Sequence, residues 1–123
     1  MYQEINGVLA VSFTCPTTIA INDVVEIVDD NEVDKITAVS SKVVGVVCAP
    51  RTGDTVCTVA TRFLRRSDER VAGEDIDAVG PFVFGASNKV YAYDSQTHTI
   101  DQIAGLVIKI GDEDETVETL ESV

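Results

Sequence analysis

A chain of 123 residues, 45% apolar and 24% charged, is long enough to bury a core without disulfide staples, so one compact domain is expected. Its net charge of −12 argues against nucleic acid or an anionic membrane as partner, because both demand clustered Lys and Arg. There is no apolar run of about 18 residues to form a membrane-spanning helix, and MYQEINGVLAVSF lacks the basic, apolar character of a signal peptide.

In chain order, Val, Ile and Thr recur in short runs separated by turn residues, the pattern of many short strands. Strands are predicted at Val8–Phe13, Val24–Val28, Lys35–Ala38, Val43–Cys48, Thr55–Arg62, around Val83–Phe84, and at Val90–Ala92, Ala104–Ile110 and Thr116–Leu120. Asp29-Asp30-Asn31, Ser40-Ser41, Pro50 to Asp54, Gly85 to Asn88 and Gly111-Asp112 supply the turns. Helical periodicity is weak. SQTHTIDQI, from Ser95 to Ile103, can form one short helix or a 3₁₀ turn. The fold class is all-β: a small barrel or sandwich with at most one or two helical turns. Residues 1–13 form an N-terminal arm or first strand, and residues 14–123 form a single β-rich domain.

The order of strands and turns recurs. INDVVEIVDDNEVDKITAVSSKVVGVV in the first half matches VGPFVFGASNKVYAYDSQTHTIDQIAGLV in the second, marking an internal repeat of 21–61 and 79–120. In this alignment Lys35–Ala38 corresponds to Lys89–Ala92. Gly45 and Gly105, sixty residues apart, each interrupt a β-branched strand. A glycine there weakens a strand unless it serves a bulge, a bend or a close backbone approach. The two halves would pack into one barrel.

Chemistry-bearing motifs are sparse. The single His, His98, has Asp101 nearby in sequence but no evident nucleophile, and it reads as a loop histidine. DDNEVD (Asp29–Asp34) carries oxygen ligands at alternating positions but lacks the glycine and distal glutamate of an EF-hand; GDEDE near the C-terminus is a similar acidic turn. Phosphate-binding glycine loops and CxxC pairs are absent, so no metal or cofactor is expected. Cys15, Cys48 and Cys57 read as reduced, buried thiols, although a turn centred on Thr52–Gly53 would place Cys48 opposite Cys57 across a hairpin. Five of the nine basic residues, Arg51, Arg62, Arg65, Arg66 and Arg70, fall in one central segment. They read either as surface ion pairs or as a stripe that meets the acidic face of another copy.

TRFLRR, followed by GEDIDAVGPFVFGASNKVYAYDSQTHTIDQIAGLVI, resembles small capsid-decoration proteins of tailed bacteriophages. The likeness runs through the KVYAYD strand, the threonine-rich connector and the IAGLV strand. It implies a non-enzymatic, structural cement protein, a β-rich homotrimer on the outer surface of the virion, assembled in the host bacterial cytoplasm. Its partner would be the major capsid protein. The apolar residues Ile5, Val8 and Leu9 of the arm are the candidate capsid contact, by strand addition, and Arg62, Arg65 and Arg66 are the candidate inter-subunit contact. Alternatives are a head–tail connector or tail-tube subunit, or a small ligand-binding β-barrel.

Overall fold

The computed structural model describes residues 2–5, 8–16, 18–50, 55–62 and 66–121, and of residues 2–5, 8, 50, 62 and 66 the backbone alone. The described chain is all-β. Its strands are β1 (Tyr2–Ile5), β2 (Val8–Thr14), β3 (Val24–Asp29), β4 (Glu32–Lys35), β5 (Val43–Pro50), β6 (Val56–Arg62), β7 (Arg66–Val71), β8 (Gly80–Phe84), β9 (Val90–Ala92), β10 (Ile103–Lys109) and β11 (Thr116–Glu121). Two 3₁₀ turns, Ala86–Asn88 and Ile100–Gln102, are the helical content among the described residues. The second lies inside the predicted helical stretch, with Thr99 N–H bonded to the Gln102 side chain at 3.0 Å. No helix among the described residues is long and apolar enough to cross a membrane.

The chain divides into two compact units, Met1–Ile36 with Lys42–Leu64, and Thr37–Ser41 with Arg65–Ser122. The repeat alone suggests two halves of one barrel; instead each half closes its own. In the first, β2, β4, β3, β5 and β6 are neighbours in that order, and β6 pairs back onto β2, with β1 added on β2. β2 and β4 meet in parallel at Thr14 and Glu32. In the second, the order is β7-β11-β10-β8-β9, and an isolated parallel bridge between Ala72 and Val90 joins the end of β7 to β9. The cycles share one topology, with β2 to β6 standing where β7 to β11 stand. Closure leaves few exposed strand edges in either unit.

The register repeats as well. Val25 faces Gly45, and Phe82 faces Gly105. Ala60 faces Val46, and Leu120 faces Leu106. Both pairings slip by one residue at the same place, at Cys48 and at Ile108. Gly45 (φ +156°) and Gly105 (φ +149°) occupy backbone conformations that L side chains rarely adopt, and a Cβ on either would collide with the carbonyl oxygen of Ala60 or Leu120. The two glycines let β5 and β10 bend against their partners at the same point of each barrel.

Alternation fixes what faces inward. The first core gathers Cys15, Ile19, Val25, Val33, Val47, Cys57 and Val59, with Phe13, Ile27 and Val44 partly buried against it. In the second, Phe82 and Phe84 meet edge to face at 5.1 Å among buried Ala72, Val90, Val107 and Val117. Phe13 faces Cys57 where Arg70 faces Val117, so the second barrel carries its aromatic bulk on β8 and an arginine where the first has a phenylalanine.

Two predicted strands shift or were absent from the pattern. The strand expected at Lys35–Ala38 is Glu32–Lys35, because Asn31 (φ 53°) closes a tight turn and starts the return strand three residues earlier. Val33 is then buried inward, and the pairing in the repeat is of Glu32–Lys35, not Lys35–Ala38, with the strand after Lys89. The arginine segment forms β7, a strand whose inward positions are polar.

Candidate functional site

The most developed concavity lies in the second unit, where β9 parts from β7. It encloses about 460 Å³ and is lined by residues 74, 75, 77 and 78 on one side and 91–94, 97 and 98 on the other. On β9, Val90 points into the core, so Tyr91 points the other way. The Tyr91 ring lies against the backbones of Gly73 and Gly85, where a Cβ at either position would collide with it. Glu74 seals the strand gap: its Oε1 accepts the Ala92 N–H at 3.0 Å. Asp75 Oδ1 accepts the Glu113 N–H at 2.8 Å.

The other wall is the connection from β9 to β10. Asp94 organises it, its carbonyl accepting the N–H groups of Thr97 (3.1 Å) and His98 (2.7 Å) and its Oδ1 that of Gln96 (2.9 Å). His98 Nδ1 accepts the Asp94 N–H at 3.0 Å, which places the proton of the neutral ring on Nε2. The imidazole lies beside the Tyr93 ring, centroids 6.1 Å apart. Asp101, the expected neighbour of His98, instead faces the hydroxyls of Thr99 and then Ser41, and these bonds hold its carboxyl below the ordinary range.

The lining carries Glu74, Asp75, Asp77 and Asp94 and no Lys or Arg. Negative charge also crowds the adjoining turn, where Glu115 foremost, then Asp75, pushes the Asp112 carboxyl above its ordinary range. Among the described residues no three His, Cys, Asp or Glu side chains converge as a metal site. Both candidate calcium loops are hairpin turns. Asp29 Oδ1 accepts the Asp30 N–H in one, and Asp114 pairs with Lys89 Nζ at 2.9 Å in the other.

The predicted contact residues lie elsewhere. Leu9, half-buried on β2, faces Arg62 at the end of β6. Ile5 and Val8 face each other in the β1–β2 hairpin; their side chains lie outside the described residues, as do those of Arg62 and Arg66 and the whole of Arg65. The arm is therefore folded back on β2, with β1 at the sheet edge.

Arg70 leaves the expected surface stripe. It is buried, with Nε 2.8 Å from Glu121 Oε2 and its other arm 3.0 Å from Oε1. Thr119 Oγ1 donates to the same carboxylate at 2.9 Å, Asp68 lies 3.8 Å from the guanidinium, and the Phe84 ring lies 5.1 Å below it. Arg70 and Glu121 are fifty-one residues apart, so neither announces the other in sequence.

Cys48 does not face Cys57. The slip in the β5–β6 ladder sets Pro50 opposite Cys57 and leaves Cys48 exposed, its Sγ donating to the Thr58 carbonyl at 3.4 Å. Cys57 is buried beside Cys15. Burial first, then the Cys15 thiol, pushes its pKa up to about 12.

Comparison with protein-family models and with curated proteins returned no match.

Proposed function

We propose that this chain is a structural virion protein that binds the outer surface of a phage head and stabilises it. The observation that carries the reading is the pair of closed barrels of one topology, joined in a single chain with a net charge of −12. Closed barrels can crowd on a shell without edge-to-edge pairing, and shared negative charge keeps copies apart outside their specific contacts. The resemblance carried by TRFLRR and the KVYAYD strand points the same way. In this reading the major capsid protein is the partner, three copies associate, and Ile5, Val8, Leu9 and the arginines Arg62, Arg65 and Arg66 make the contacts. Many weak contacts repeated over a shell sum to tight attachment.

The test is to mix the purified protein with heads assembled from its cognate capsid protein and sediment them. Saturable pelleting with the heads, together with greater resistance of those heads to heat, supports the reading. Protein left in the supernatant at micromolar concentrations of both components sinks it. Light scattering at low and high salt tests the trimer separately. The cleft beside β9 favours a second reading, a ligand-binding barrel, in which binding would proceed without any shell.

A further inference from the structure

Because the two barrels share topology and register, each position in one has a counterpart in the other, and the departures stand out. Tyr91 faces Val83 as Asp34 faces Glu26. Tyr93 donates its N–H to the Pro81 carbonyl as Ile36 donates to Val24. The second barrel thus has two aromatic rings where the first has an acid and an aliphatic side chain. The connection that follows differs too: residues 36–42 lead from β4 to β5, but residues 93–102 lead from β9 to β10. The three additional residues lie in the segment that supplies Asp94 and His98, one whole wall of the cleft. The cleft is an elaboration of a shared scaffold, not a by-product of closing it.

We propose that this cleft binds the guanidinium group of an arginine side chain presented by a partner protein. A volume of about 460 Å³ admits a side chain together with the backbone that carries it. Tyr91 and Tyr93 supply flat aromatic surface on which a planar cation stacks. Glu74, Asp77 and Asp94 supply carboxylate oxygens, and no basic residue of the lining competes for them. Planarity and forked donors suit such a combination better than an ammonium does. The Tyr91 ring is already fixed against two glycine backbones, so little side-chain freedom is lost on binding.

The experiment is a titration of the free, isotopically labelled protein, followed by amide NMR. The probe is N-acetyl-arginine amide; N-acetyl-citrulline amide, its neutral analogue, N-acetyl-lysine amide and matched sodium chloride are the comparisons. Saturable shifts confined to the amides of residues 74–78 and 91–98 are expected with the arginine probe. Affinity should fall at least about tenfold for citrulline and about tenfold for the double variant D77N/D94N, whose side chains keep their shape. Shifts that never saturate, that spread over the acidic turns as they do with salt, or that citrulline reproduces would overturn the proposal. Equal affinity for the lysine probe would overturn the guanidinium assignment, and unchanged affinity of the double variant would overturn the carboxylates' role. Because the titration needs no shell, it succeeds or fails independently of the sedimentation test.

Discussion

Replacing Glu121 with Gln removes one charge from the interior of the second barrel while keeping the side chain's shape. Glu121 is fully buried and the Arg70 side chain is 6% exposed, so water cannot take over the lost attraction. The carboxylate accepts three hydrogen bonds, two from Arg70 and one from Thr119. An amide offers one oxygen, and its NH₂ must meet a donor. Removing one partner of a buried pair typically costs about 3–5 kcal/mol. Asp68, 3.8 Å from Arg70 and with 24% of its side chain exposed, retains part of the attraction, so the lower end, about 3 kcal/mol, is expected. In a unit of this size that lowers the unfolding midpoint by roughly 12–24 °C. Urea denaturation followed by tyrosine fluorescence measures it, since Tyr91 and Tyr93, two of the three tyrosines, belong to the second unit. The double variant R70M/E121L, which replaces both charges with apolar side chains, should lie within about 1.5 kcal/mol of the parent. A loss under about 1 kcal/mol in E121Q, or a double variant as unstable as the single one, would refute the view that an uncompensated buried charge is what matters.

Gly45→Ala and Gly105→Ala should each cost about 3 kcal/mol or more, combining positive-φ strain with a collision against a backbone carbonyl; a midpoint shift within error in urea would contradict the close approach. With Cys57 at about 12, only about one molecule in ten thousand carries its thiolate at pH 8. Mass spectrometry after iodoacetamide should therefore find Cys48 labelled in the native protein, and Cys15 and Cys57 only after denaturation; early labelling of Cys57 would refute its burial. Asp112 has a folded pKa above its unfolded one, so its contribution to stability is present below the ordinary carboxylate range and lost as pH rises through the raised value. Asp112→Asn should then melt above the parent at pH 7, with the difference closing as pH falls through the carboxylate range; a parent more stable at pH 7 would show that repulsion from Glu115 and Asp75 is not the governing effect.

The sequence was most informative where side chains alternate simply. Val43–Cys48 and Thr55–Arg62 announce β5 and β6, and the paired glycines announce the repeat. β7 stayed hidden because its inward positions are Asp68 and Arg70, which invert the apolar-in pattern until Glu121 arrives from across β11. β1 is short, and only its pairing with β2 makes it a strand. Ile36 and Thr37, both β-branched, drew the β4 assignment too far along the chain, although the turn chemistry of Asp30-Asn31 pointed to an earlier start. The cleft was illegible for another reason. Its acids come from what read as solvated turns, and its rings belong to a strand judged by its core-facing residues. The one available signal was the longer connection after KVYAYD in an otherwise matched pair of halves.

The duplication carries a consequence for counting. Whatever the barrels share, including the bulge and the glycine bend, occurs twice in each chain, whereas the cleft beside β9 occurs once. A ring of three copies would hold six like-built lobes in two alternating kinds. A partner that recognises the common features would meet six equivalent footholds, but one that recognises the cleft would meet three. Stoichiometry alone would then reveal which half of the molecule a partner reads.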